Sequence, residues 1–246
     1  AKLQKELPGE VFTTRTLATY SYELNNKKAP FDNVNVRKAL NLSLDRNVIT
    51  DKVLGQGQTP TYVFTPTYIE EGQLIQQPAY SKEPMAQRNE EAIKLLEEAG
   101  YSKANPLKFS ILYNTNENHK KVAIAAASMW KANTKGLIDV KLENQEWKTY
   151  IDSRRAGRYD AARAGWNADY NQATTFGNYF LSNSSNNTAK YANPEYDKAI
   201  AESYVATDAE GRAKAYAKAE EILAKDFGLV PIFNYENPRI VKPYVK

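Results

Sequence analysis

Between Leu107 and Asn144 the spacing of apolar residues changes twice. The stretch LKFSILY, starting at Leu107, alternates as a strand does; Glu117 to Lys131 reads as a helix; IDVKLEN, starting at Ile138, alternates again. This order is a candidate β-α-β unit, and the flanking patterns extend it. Val36, Leu40, Leu44 and Val48 recur every four positions between Asn33 and Leu54, behind Asp32 or Asn33 as a cap, and Gly55 and Gly57 end that helix. A second helix is expected from about Met85 to Ala99 through Ala92, Leu95 and Leu96, with Gly100 in the usual stop position. Further on come a helix from about Trp147 to Arg155, a strand YDAAR from Tyr159, helices near Glu195 to Val205 and Ala209 to Lys225, and a strand LVPIFNY. The expected class is α/β, a mixed sheet flanked by helices. The polar segment SNSSNNTAK from Ser182 reads as a loop. No internal repeat or long linker interrupts the pattern, so one domain is expected, its first 15 or so residues forming an arm.

A chain of 246 residues can bury a substantial core, and 42% hydrophobic with 25% charged residues is a globular composition. The net charge of +4 comes from 33 basic and 29 acidic residues scattered together, which argues against a nucleic-acid partner. No apolar run approaches the roughly 18 residues of a membrane span, so no insertion is expected. The start AKLQKELPGE lacks the apolar core of a signal peptide. With no cysteine, thiolate chemistry and disulfides are excluded. Seventeen tyrosines and three tryptophans offer broad, rigid contact area with polar tips, compatible with binding as well as with core packing.

Two stretches carry a resemblance: KAPFDNVNVRKALNLSLDR, from Lys28 to Arg46, and ENQEWKTYIDSRRAGRYDAARAGWNADYNQ, from Glu143 to Gln172. Both are similar to family 5 extracellular solute-binding proteins, the periplasmic oligopeptide and murein-tripeptide binders of ABC import, and the similarity runs across essentially the whole chain. Such proteins are two-lobed and close around a ligand. The resemblance implies a type II periplasmic-binding-protein lobe, with residues 18–246 as the C-terminal lobe and residues 1–17 as an arm from the preceding lobe. It implies short peptides as ligands, the N-terminal lobe and an ABC permease as partners, a periplasmic parent and no cofactor.

The same resemblance assigns residues. In GWNADY, where Gly165, Trp166, Asn167 and Ala168 lead to Asp169, it implies that Asp169 receives the ligand's α-ammonium group. Arg154, Arg163 and His119 match positions that meet the peptide's carboxylate at different ligand lengths, and a guanidinium fork suits that geometry. Trp147, Trp166 and Tyr235 match positions lining hydrated side-chain pockets. An extended peptide would pair with backbone near Glu23 and the GWNADY loop. Each also has an ordinary reading: a solvated or capping aspartate, surface arginines, a packed histidine, core aromatics. Three departures stand out. Enteric members have paired cysteines at the positions of Ala18 and Asn167, Glu236 stands where an apolar residue is expected, and Gly177 replaces a larger side chain.

Three functional readings follow: a peptide-binding half-site, weak alone; an interaction module joining a complementary lobe or itself; and an enzyme. The last has little behind it. Adjacent Glu97 and Glu98 would point to different helix faces, and Asp160 with Asp169 is a pairing without a motif. There is no phosphate loop or nucleophile elbow, and one histidine cannot make a metal cluster.

Overall fold

The computed structural model describes residues 5–245. Its strands are β1 (Val11–Leu24), β2 (Thr59–Pro60), β3 (Leu107–Asn114), β4 (Ile138–Gln145), β5 (Ala161–Asn167) and β6 (Leu229–Ile240). They form one mixed sheet in the order β2-β6-β1-β5-β3-β4. The helices are α1 (Val34–Leu42), α2 (Met85–Glu98), α3 (Glu117–Asn133), α4 (Trp147–Arg155), α5 (Thr174–Gly177), α6 (Pro194–Val205) and α7 (Ala209–Lys225).

The expected β-α-β unit is present: β3 and β4 pair in parallel from Leu107↔Ile138 to Asn114↔Gln145, with α3 crossing between them. The crossover connection is what parallel pairing requires. β1 is antiparallel to both its neighbours, β5 and β6. Because strand side chains alternate, β1 feeds two cores. Tyr20, Tyr22 and Leu24 join Leu40 of α1, Leu96 of α2 and Trp130 of α3 on one face. Thr19 and Glu23 point to the other, where Phe64, Phe176, Tyr179, Tyr196, Ile200 and Leu223 pack together.

Three expected elements differ. The helix from Asn33 to Leu54 is broken after Leu42, and a π-helical turn, Val48–Leu54, follows, ending at Gly55 with φ +60°. The reason is Arg46, whose side chain is fully buried and must find acceptors. It donates to the Asn41 carbonyl at 3.0 Å and the Pro231 carbonyl at 2.6 Å, while Asp45 caps the new turn at the amides of Asn47 and Val48. Val48 is consequently exposed, although the periodicity assigned it to the core. The strand expected from Tyr159 starts at Ala161 and runs on to Asn167, since Tyr159 bonds the Thr188 carbonyl and Asp160 holds Lys28 and the Ser110 amide. The strand LVPIFNY continues to Ile240, because Glu236 to Ile240 pair with Arg15 to Val11 as a two-stranded ribbon. Glu236 sits in this ribbon and accepts from the Thr59 hydroxyl at 3.4 Å. A Cβ on Gly177 would lie 2.7 Å from Ile200 Cδ1, so a larger residue there would force Ile200 to move.

Ala18 lies directly across from Asn167 in the β1–β5 register. Cross-strand partners have Cβ atoms about 4.5–5.5 Å apart, close enough to bridge with small adjustments. Ala18→Cys with Asn167→Cys is therefore expected to lose both free thiols on mild oxidation and to gain about 2–4 kcal/mol in denaturant unfolding. Persistent free thiols in the folded double variant would contradict the register.

Candidate functional site

The C-terminal half of β5 carries alternating side chains to two different environments. Arg163 is partnered with Tyr22 and Gly165 with Tyr20, so these four share one face. There Arg163 donates from Nη2 to the Tyr235 hydroxyl at 2.7 Å, and its guanidinium lies 5.2 Å from the centre of the Tyr20 ring. The His119 ring, near the start of α3, stands 5.5 Å from Tyr20. Burial, and then the nearby Arg163 charge, push the His119 imidazole down to about 3. It is thus a neutral imidazole, with one N–H to give and one nitrogen that accepts, beside a permanent cation. Its Nδ1 and Arg163 Nε are both shielded and unpartnered. Gly165 makes the arrangement possible: a Cβ there would come within 2.9 Å of Arg163 Nη2 and 3.2 Å of the Tyr235 hydroxyl.

The backbone of the same stretch is open on one side. β1 covers one edge of β5 through to Asn167, but on the other the pairing with β3 ends at Leu112↔Ala162. Among the described residues no strand covers that edge from Arg163 to Asn167. The Tyr150 hydroxyl donates to the Arg163 carbonyl there. Trp147 is 58% exposed, its ring 5.8 Å from that of Tyr150, so the alternative of a core aromatic does not hold for it. Gly165 and Asn167 are exposed.

Beyond the strand, Thr175 organises the loop. Its hydroxyl accepts from the Asp169 amide at 3.2 Å and lies 3.4 Å from Asp169 Oδ2, and its carbonyl accepts from Trp166 Nε1 at 3.0 Å. The Ala168 amide bonds the Leu17 carbonyl at 2.8 Å. Asp169 is left exposed at a defined position. Trp166, half-buried, points to the face opposite Arg163 and meets Tyr179 edge to face at 4.9 Å.

Glu23 and Arg154 fall elsewhere. Glu23 is 1% exposed and its strand is paired on both edges, with Ala162 on one side and Leu229 on the other. The backbone at Glu23 therefore has no free edge for strand addition. That carboxylate accepts from Arg154 Nη2 at 2.8 Å, from the Thr188 hydroxyl and from the Tyr179 hydroxyl. Arg154 is committed to this buried pair, on the face of the sheet opposite Arg163. Removing one partner would strand a buried charge. The sequence reading missed Tyr20, Tyr22, Tyr150 and Thr175. Alternation in TYSYEL was the available signal for the first two, and nothing local marks the others.

Two outcomes follow from this geometry. Gly165→Ala is expected to displace the Arg163 fork and lower stability by about 1 kcal/mol in urea unfolding, with no further loss when Tyr235→Phe is added. Additive losses would mean the two residues are independent. His119, in turn, is expected to show no imidazole titration by NMR between about pH 5 and 8. In the unfolded chain the ring protonates near pH 6.5, so the unfolded state binds the extra proton. This residue's contribution to stability is full above about pH 6.5 and falls as pH drops towards about 3.

Comparison with known proteins places the geometry in context. Residues 1–188 match the family described as bacterial extracellular solute-binding proteins, family 5 middle. The periplasmic oligopeptide-binding protein OppA of Haemophilus influenzae is 95% identical over 246 residues, all of this chain and 46% of that protein. The periplasmic murein peptide-binding protein MppA of Escherichia coli is 43% identical over 245 residues, 100% of this chain and 45% of that protein. Among solved structures, Haemophilus influenzae OppA in complex with RPPGFSPFR has a TM-score of 0.95 at 93% identity, covering 100% of this chain and 48% of that one. The Escherichia coli murein tripeptide binding protein MppA has a TM-score of 0.92 at 43% identity, covering 100% and 48%. These neighbours are type II periplasmic binding proteins, the expected fold class, and the chain spans about half the length of the relatives it matches. The match over residues 1–188 means that the chain belongs to the bacterial extracellular solute-binding proteins of family 5.

Proposed function

We propose that this chain is one lobe of a periplasmic oligopeptide-binding protein of ABC import and supplies half of a peptide cleft. The observation that carries the reading is the uncovered β5 edge from Arg163 to Asn167, with an exposed carboxylate beyond it at Asp169 and a cation at Arg163. An extended peptide pairs along that edge by main-chain hydrogen bonds, which read no side chain. Asp169 takes its α-ammonium group, and Arg163 with neutral His119 takes its carboxylate end. Trp147 and Tyr235 flank the strand, where water fills the space around variable side chains. Arg154 acts in the framework through Glu23.

Residues 18–246 form the lobe and residues 1–17 an arm from the preceding lobe, which is the partner that closes the cleft. Permease contact belongs to the complete protein. Alone, the lobe leaves the ligand wet on one side, which costs several kcal/mol, and it binds at millimolar levels without turnover. Exposed Phe12 and Ile240 on the β1–β6 ribbon favour a second reading, association with a complementary lobe or another copy. A strictly monomeric sedimentation profile at high concentration, unchanged by an added N-terminal lobe, would remove that reading.

The direct test is an amide NMR titration with tri- to pentalysine. Saturable shifts confined to β5 and the Asp169 loop, lost in Asp169→Ala, are the expected result. Well-dispersed spectra without any shift would exclude a preformed half-site, and micromolar affinity of the monomer would contradict the need for a second lobe.

A further inference from the structure

Asp169 stands in a loop fastened at both ends to other parts of the chain. At its start the Ala168 amide donates to the Leu17 carbonyl. At its end the Ala173 amide donates to the Glu70 carbonyl at 2.9 Å, and the Glu70 amide donates back to Asn171 Oδ1 at 3.1 Å. Glu70 belongs to residues 64–72, a strap that is neither helix nor strand. Glu220 of α7 accepts the amides of Phe64 and Thr65 at one end of the strap, and the Tyr68 hydroxyl donates to the Thr16 carbonyl at 2.7 Å. Thr16 lies where the β1–β6 pairing shifts register, between Arg15 and Thr19. The strap thus joins β1, α7 and the Asp169 loop.

Its corner is Glu71. The backbone there has φ +64°, a region in which a residue with a Cβ is strained. Such strain persists only where the surroundings over-determine it, and it concentrates at functional sites. The turn is tight, since a Cβ on Gly72 would lie 2.7 Å from Ile69 Cγ2 and 2.9 Å from the Pro66 carbonyl oxygen. It aims the Glu71 carboxylate, 4% exposed, at two elements at once. Oε1 accepts from Arg212 of α7, from Nε at 2.8 Å and Nη2 at 2.7 Å, and Oε2 accepts from Gln172 Nε2 at 2.9 Å. Gln172 Oε1 accepts from the Thr174 hydroxyl at 2.9 Å; having given its one proton there, Thr174 accepts from Tyr216. The Gln172 carbonyl in turn accepts from the Thr175 amide, and the Thr175 hydroxyl holds the Asp169 amide. A continuous path of bonds therefore runs from Arg212 through Glu71 and Gln172 to Asp169.

We propose that Glu71 is a positioning residue for the peptide's amino terminus: by holding Gln172 against α7 it sets where the Asp169 carboxylate stands relative to the open edge of β5. The inference rests on the reading of Asp169 as the partner of the ligand's α-ammonium group. Glu71 acts through Gln172 and Thr175.

The test compares trilysine with N-acetyltrilysine, which lacks the α-ammonium charge, in NMR titrations of the chain and its variants. Glu71→Gly removes the carboxylate while suiting the left-handed backbone, and Gln172→Leu cuts the same bond from the loop side. Without ligand, each variant is expected to speed amide hydrogen exchange at Asp169 and Ala173 severalfold. With ligand, each is expected to raise the Kd for trilysine about 2–5-fold and leave that for N-acetyltrilysine unchanged, and the double variant is expected to add nothing further. Unchanged exchange and trilysine affinity in Glu71→Gly, equal weakening of both peptides, or additive losses in the double variant would overturn the proposal. Equal binding of the two peptides by the unaltered chain, or binding of neither, would remove the ammonium reading itself and the proposal with it.

Discussion

Strand β1 has antiparallel partners on both edges, β5 from Ala18 to Leu24 and β6 from Thr19 to Glu23, and a strand enclosed in this way cannot slip by one residue. A slip would send Tyr20 and Tyr22 into the environment of Glu23 and drive Glu23 among Leu40, Leu96 and Trp130. The buried pair between Glu23 and Arg154 therefore acts as a register lock: α4 must lie where Arg154 can reach across, which brings Tyr150 to the Arg163 carbonyl. The framework ion pair and the open edge of β5 are parts of one arrangement, set on opposite faces of the same strands.

Buried charge recurs through the fold, handled mostly by backbone. Arg37 donates to the carbonyls of Phe31, Asp226 and Phe227, and Arg46 and Arg88 share those of Asn41 and Leu44 at the end of α1. Carbonyls at a helix C-terminus are unsatisfied and carry partial negative charge, so they suit a guanidinium without a carboxylate. Glu220 does the converse, taking the Phe64 and Thr65 amides. These contacts tie α1, α2 and α7 to the segment around Tyr62, where Arg88 also lies 5.5 Å from the Tyr80 ring.

Much of the architecture was legible locally. The strand-helix-strand pattern after Leu107, the stops at Gly55 and Gly100 and the long helices near the C-terminus depend on periodicity and backbone freedom, which neighbouring residues carry themselves. The break after Leu42 was not legible, because a run with helical spacing hides a buried arginine whose acceptors lie partly on β6. The end of β6 was missed for a related reason: Glu236 to Ile240 are strand only because Val11 to Arg15 lie beside them.

The site divides along the same line. Residue type and resemblance nominated Asp169, Arg163, His119 and Tyr235 alongside Glu23 and Arg154, since carboxylate, guanidinium, imidazole and phenol advertise their chemistry wherever they stand. The sequence by itself determined the family, the alternation of elements and the inventory of charged groups. Only the tertiary structure decided which of those groups remain free to act. Glu23 and Arg154 neutralise each other in the interior, while Arg163 is held to Tyr235 over a glycine and Asp169 is held open by Thr175. The physical reason is that a charge's role depends on its partners and its solvation, and both are set by strands and helices distant in sequence.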